Sequence, residues 1–111
     1  MKKVLIISTM SIASEVLANR TAQAVKKRNL PVEITLMPEK ESMELLHKFD
    51  ILLLSPHLRF LLGNPDGLGN LPVEVINSVD FGNLNGSAVA DAIENMLGET
   101  EKRVLLAAGG A

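Results

Sequence analysis

The stretch Val4–Ser14 reads VLIISTMSIAS. Four apolar residues, Val4-Leu5-Ile6-Ile7, stop abruptly at a hydroxyl-rich segment, Ser8-Thr9-Met10-Ser11, and a helical pattern starts at Ile12. An apolar run without alternation suits a strand buried on both faces, as in a parallel sheet. The stretch therefore predicts a buried strand, a tight loop and a helix start. In α/β folds that junction lies at the carboxyl end of a strand, where ligands bind. The first N–H groups of a helix have no partner within it and favour an anion. Phosphate is the ligand class this junction points to.

Working outward, Ser11 is a candidate N-cap and Glu15 adds favourable charge to the first turn. Ala13, Val16, Leu17, Thr21, Ala24 and Val25 fall at helical spacing, and the helix is expected to end near Asn29, before Pro31. Val32–Met37 alternates and reads as a strand near a sheet edge. Glu39–His47 reads as a short helix with Met43, Leu45 and Leu46 inward. Asp50–Ser55 is a second continuous apolar run, hence a central strand. Pro56 opens a short helix to Leu62. Gly63–Asn70 reads as loop, Pro72–Ile76 as a strand, and 77–86 as a connection. Ser87 is the expected cap of a last helix, with Ala88, Val89, Ala92, Ile93, Met96 and Leu97 inward. Gly98 is its expected end. Val104–Ala108 can continue as helix, and Gly109-Gly110-Ala111 is expected to fray.

The order β-α-β-α-β-α-β-α with right-handed crossovers predicts a three-layer α/β domain over residues 1–111. Its four-stranded parallel sheet has the expected order 2-1-3-4. The first loop then sits at the switch point between the two central strands.

Composition narrows the function. The chain has 111 residues, 47% of them hydrophobic, and a net charge of −2, which argues against a nucleic-acid footprint. Lys26-Lys27-Arg28 reads as a complement to a helix C-terminus. There is no cysteine, so disulfides, thiolate metal sites and thiol chemistry are absent. No run reaches the ~20 apolar residues of a membrane span. The run after Lys2-Lys3 is shorter than the about 7–15 residues of a signal peptide. A cytoplasmic chain, not inserted in a membrane, is expected. Three Phe with no Trp or Tyr weaken any flavin or base-stacking proposal, and no metal or cofactor is expected.

Ser8, Thr9, Met10, Ser11, Ile12, Ala13 and Ser14 form the candidate anion loop. The same residues can equally be an ordinary capped turn without the glycine that eases close approach to a phosphate, and the residues alone leave both readings open. His57, two residues beyond Ser55, falls near the same rim and is a candidate base or phosphate contact; an exposed histidine in a helix's first turn is the plainer reading. His47 reads as a surface residue. Gly67-Leu68-Gly69 precedes a strand, so it offers no helix dipole, and Asp66 is too little for a calcium loop. The acidic positions of a receiver domain hold Ser8, Thr9 and Ser55. The cysteine and arginine of a small tyrosine phosphatase are replaced by Ser8 and Ser14.

Asp50-Ile51-Leu52-Leu53-Leu54-Ser55-Pro56-His57, Arg59-Phe60, Pro72-Val73-Glu74-Val75-Ile76-Asn77 and Phe81-Gly82-Asn83-Leu84-Asn85-Gly86 carry a resemblance. With the opening Lys-Lys-apolar strand, the chain resembles enzyme IIB of the lactose/cellobiose (diacetylchitobiose) class of the bacterial sugar phosphotransferase system. The resemblance implies a cytoplasmic phosphocarrier. It would take a phosphoryl group from a histidine of enzyme IIA and pass it to a disaccharide at the membrane permease, enzyme IIC. Loop amides would cradle the phosphate. The family's acceptor is a cysteine; Ser8 stands at that position, and Ser11 stands where the family has glycine. A thiol titrates near about 8.5, whereas a serine needs a base to act as nucleophile. The alternative is a non-catalytic protein of the same fold that binds an anion or a partner.

Overall fold

Strand β1, Lys2–Ile7, is one of the two central members of a four-stranded parallel sheet in the order β2-β1-β3-β4. The computed structural model describes residues 1–63 and 65–109, with side chains described for 1–63 and 67–98. The other strands are β2, Val32–Met37, β3, Ile51–Leu54, and β4, Val73–Val75. The expected order and direction are both found. β1 pairs with β2 from Lys2↔Val32 to Ile7↔Met37 and with β3 from Val4↔Ile51 to Ile7↔Leu54.

The two apolar runs are buried as their lack of alternation predicts. Val4, Ile6, Ile51 and Leu53 join the layer formed with α1, Ile12–Lys27, and α4, Gly86–Gly109. Leu5, Ile7, Leu52 and Leu54 face the opposite layer. That layer contains α2, Glu39–Leu45, and short 3-10 segments at Leu46–Lys48 and Pro56–Gly63. Each such side chain contributes ~1.5–3 kcal/mol on full burial. The short runs therefore fix both layers.

Several expectations are corrected. The buried face of α1 is Ser14, Leu17, Thr21 and Val25, while Ala13 is exposed. Thr21 tolerates burial because its hydroxyl donates to the Leu17 carbonyl at 2.8 Å. The helix from Glu39 tightens into a 3-10 turn after Leu45, and the short helix that Pro56 opens is a 3-10 helix ending at Gly63. Within 77–86 lies a further helix, α3, Ser78–Gly82, capped by the Asn77 side chain. A 3-10 turn at Pro65–Leu68 occupies part of the expected loop, and Leu68 is buried in the second layer.

The last helix is capped by Asn85, not Ser87: Asn85 Oδ1 accepts the Ala88 N–H at 3.0 Å. Leu84, at φ 54°, turns the chain into that position. Gly98 does not end the helix, which runs on to Gly109. The good helix formers Glu99, Glu101, Lys102 and Arg103 outweigh the ~1 kcal/mol cost of one interior glycine. Of the tail Gly109-Gly110-Ala111 expected to fray, Gly109 is the last residue of the helix, while Gly110 and Ala111 lie outside the described residues.

Gly86 sets how closely α1 and α4 approach. A Cβ there would collide with the Arg20 carbonyl carbon and lie 2.6 Å from the Thr21 nitrogen. Both are backbone atoms that cannot turn aside. A Cβ at Gly98 would meet nothing within 4 Å. Chemical denaturation should therefore show Gly86→Ala destabilising by ~1–3 kcal/mol through overpacking. Gly98→Ala should stabilise by ~0.5–1 kcal/mol.

Candidate functional site

The site forms where β1 gives out between its two neighbours. The Ser8 N–H donates to the Met37 carbonyl at 3.2 Å, at the end of β2. The Ser55 N–H donates to the Ile7 carbonyl at 3.0 Å, just past the end of β3. Ser8 and Ser55 thus succeed the register pair Ile7↔Leu54 and lie side by side at the carboxyl rim. Both are buried, at 1% and 0% exposure.

Ser11 caps α1 from an extended conformation, its hydroxyl accepting the Ser14 N–H at 3.1 Å. Ser11 Oγ also donates to Ser14 Oγ at 3.0 Å, and the Ser14 and Ser8 hydroxyls are 2.8 Å apart. Ser8, Ser14 and Ser11 therefore form one hydroxyl chain from the strand end to the helix cap. The capped turn that the sequence allowed is present, and it also satisfies the buried Ser8 and Ser14 oxygens.

Around this chain the backbone is left open. Among the described residues, the N–H groups of Thr9, Met10, Ser11, Ile12 and Ala13 have no hydrogen-bond partner. They belong to the loop and the first turn of a 16-residue helix, whose N-terminus carries roughly half a positive charge. The side chains of Thr9, Met10, Ser11, Ile12 and Ala13 are exposed. No residue from 8 to 14 carries a charge; Glu15 in the first turn of α1 does. Any attraction for an anion must come from main-chain dipoles.

His57 is exposed and lies at the same rim. Its Nε2 lies 3.2 Å from Ser55 Oγ, and its ring meets Phe81 edge-on, with centroids 6.0 Å apart and planes at 80°. The structure thus brings Ser8, Ser11 and Ser14 into direct contact and pairs His57 with Ser55. Ser55 and Phe81 were not among the residues picked out from sequence as site candidates. The Asn77-Ser78 pair ahead of Asp80 is the capping signal that points to α3, and so to the placement of Phe81.

Exposed apolar side chains gather on the segments following the strand ends: Met10 and Ile12 after β1, Phe60 and Leu62 after β3, and Val79 after β4. Among the described residues no group of acidic, histidine or cysteine side chains is arranged to hold a metal ion. No helix there is long and apolar enough to cross a membrane.

The hydroxyl chain has a measurable consequence. Ser14→Ala removes the oxygen that Ser8 and Ser11 share and leaves Ser8 buried without that partner, a loss of ~1–3 kcal/mol. Ser11→Ala removes the cap and should cost ~1 kcal/mol. The two substitutions share one network, so the double variant should lose less than the sum in urea denaturation.

The comparisons agree with this architecture. Residues 3–92 match the family model for the lactose/cellobiose-specific IIB subunit of the PTS system. The lactose-specific IIB component domain of the phosphoenolpyruvate:carbohydrate phosphotransferase system from Streptococcus pneumoniae superposes with a TM-score of 0.66 at 18% identity, covering 85% of this chain and 95% of that one. The cellobiose-specific phosphotransferase IIB component protein from Borrelia burgdorferi gives 0.68 at 26% identity, covering 85% and 89%. The chain belongs to the lactose/cellobiose-specific IIB family of the sugar phosphotransferase system.

Proposed function

We propose that this protein is a cytoplasmic IIB phosphocarrier component that works between an enzyme IIA and a membrane permease, enzyme IIC. In this reading Ser8 stands at the phosphoacceptor position, and transfer through that position is impaired. Thr9, Met10, Ser11, Ile12, Ala13 and Ser14 form the cradle. The observation that carries the reading is the unbroken run of unpaired N–H groups from Thr9 to Ala13 beside Ser8, in a chain of this family.

The physical case for a cradle is direct. Phosphoryl transfer asks a protein mainly for positioning and charge stabilisation. Successive main-chain N–H groups at a helix start supply both without a charged side chain. The exposed apolar group of Met10, Ile12, Phe60, Leu62 and Val79 offers a docking surface around that point.

The case for impairment rests on the acceptor atom. Ser8 Oγ is buried, in a residue 1% exposed, and engaged with Ser14 Oγ. A serine hydroxyl also needs a base to lose its proton; the histidine at this rim turns its Nε2 to Ser55, not to Ser8. The same engagement of Ser8 favours the second reading, a non-catalytic protein that binds an anion or a partner and transfers nothing.

Ser8→Cys separates the two readings. The Ser8 protein and the Ser8→Cys variant are incubated with enzyme I, the histidine phosphocarrier, candidate enzyme IIA proteins and phosphoenolpyruvate, then mapped by peptide mass. The expected result is a phosphoryl group on the introduced thiol of the variant and none on Ser8. Equal labelling of Ser8 and of the introduced thiol contradicts the impairment. No label on the Ser8→Cys variant, with a control carrier labelled alongside, removes the carrier reading and leaves the binding one.

A further inference from the structure

We infer that His57, through Nδ1, is the phosphoacceptor of this chain. The inference rests on the carrier reading and names the atom that replaces the missing sulfur. It starts from a constraint on the bond formed. A phosphoryl group that is to move on to a sugar hydroxyl must be held in a bond of higher transfer potential than the sugar ester. A serine phosphate is itself an alkyl ester and would hold the group. A phosphoimidazole would not. A carboxylate also forms such a bond, as an acyl phosphate, but residues 8–14 hold no carboxylate; the chain has no cysteine, and its nitrogen nucleophiles of this kind are His47 and His57.

Topology separates them. His47 lies in the 3-10 turn that precedes β3, on the amino side of the sheet. On that side Asp50 accepts the Lys3 N–H at 2.7 Å. His57 follows the carboxyl end of β3, two residues after Ser55, which is the register neighbour of Ser8. It is also exposed, whereas Ser8 and Ser55 are not.

The ring is held in a defined orientation. Nε2 faces the buried Ser55 hydroxyl at 3.2 Å, and the ring packs edge-on against Phe81. Among the described residues Nδ1 has no partner. In the tautomer whose Nε2–H donates to Ser55 Oγ, Nδ1 carries the free lone pair. Ser55 is thus a positioning residue: it occupies Nε2 and leaves Nδ1 as the open ring nitrogen.

The transfer balances without an outside proton. The Nδ1 lone pair attacks phosphorus of a donor phosphohistidine whose other ring nitrogen is protonated. The donor P–N bond breaks, its electron pair stays on the donor ring, and that ring leaves as neutral imidazole. His57 becomes the phosphoimidazolium and keeps its Nε2–H on Ser55. One P–N bond replaces another, so the step is close to isoenergetic and reversible.

The test uses the same phosphoenolpyruvate-driven incubation, on the chain as given, Ser8→Ala, His57→Gln and Ser55→Ala. His57 is exposed, so His57→Gln should keep its fold, checked by an unchanged melting temperature. The expected label is one phosphoryl group, acid-labile and alkali-stable, on His57, assigned to Nδ1 by 31P NMR. Ser8→Ala keeps it and His57→Gln loses it. In Ser55→Ala the label divides between Nδ1 and Nε2, which a purely structural role for Ser55 would not produce. An acid-stable label on a serine, or a label that survives His57→Gln, overturns the inference. An unlabelled Ser8 protein beside a labelled Ser8→Cys variant overturns it and leaves the carrier reading intact. No label on either overturns both.

Discussion

Two main-chain hydrogen bonds, on either side of the Ile7–Ser8 junction, hold the arrangement together. Ser8 N–H reaches Met37 on one neighbour, and the Ile7 carbonyl receives Ser55 N–H from the other. They extend the ladders one residue past the last strand pairs and pin Ser8 and Ser55 at the rim. Everything exposed in the loop depends on that anchoring. With Ser8 fixed, Ser14 can bridge to Ser11, and the cap at Ser11 fixes where α1 starts. The open N–H groups from Thr9 to Ala13 are what remains when the hydroxyls have been used internally.

Much of this was legible in the residues, for physical reasons that can be named. Val4–Ile7 and Ile51–Leu54 lack alternation because they are covered on both faces, and that alone placed them at the centre of the sheet. Ser11 as a cap followed from its type and its place before a helical stripe. Other features were hidden. Gly98 looks like a stop, but the residues after it carry the helix on. Ser87 looks like a cap, but Leu84 in a left-handed conformation brings Asn85 to the position instead. Ser14 reads from sequence only as a loop hydroxyl, yet it is buried, with Ser8 and Ser11 supplying its partners. That partnership joins residues across a loop, which periodicity does not register. The Ser55–His57 contact was hidden for a similar reason, since it depends on how the chain turns at Pro56.

The rim divides its labour between backbone and side chain. The loop offers the open N–H dipoles on which the proposed cradle rests and, with Ser8 folded inward, no ready nucleophile. The neighbouring turn offers an oriented imidazole and a buried hydroxyl behind it. The chain keeps the family's scaffold, and Ser8, proposed above as the residue at the acceptor position, is part of the internal hydrogen-bond network.

The central claim is that the main-chain N–H groups of Thr9–Ala13 form an anion cradle, and amide NMR tests it most directly. Inorganic phosphate is titrated into 15N-labelled protein at constant ionic strength, with sodium chloride as the control. The account predicts saturable shifts concentrated on the amides of Thr9, Met10, Ser11, Ile12 and Ala13 and absent with chloride. Shifts that are uniform across the protein, or that leave those five amides unmoved while others respond, would contradict it.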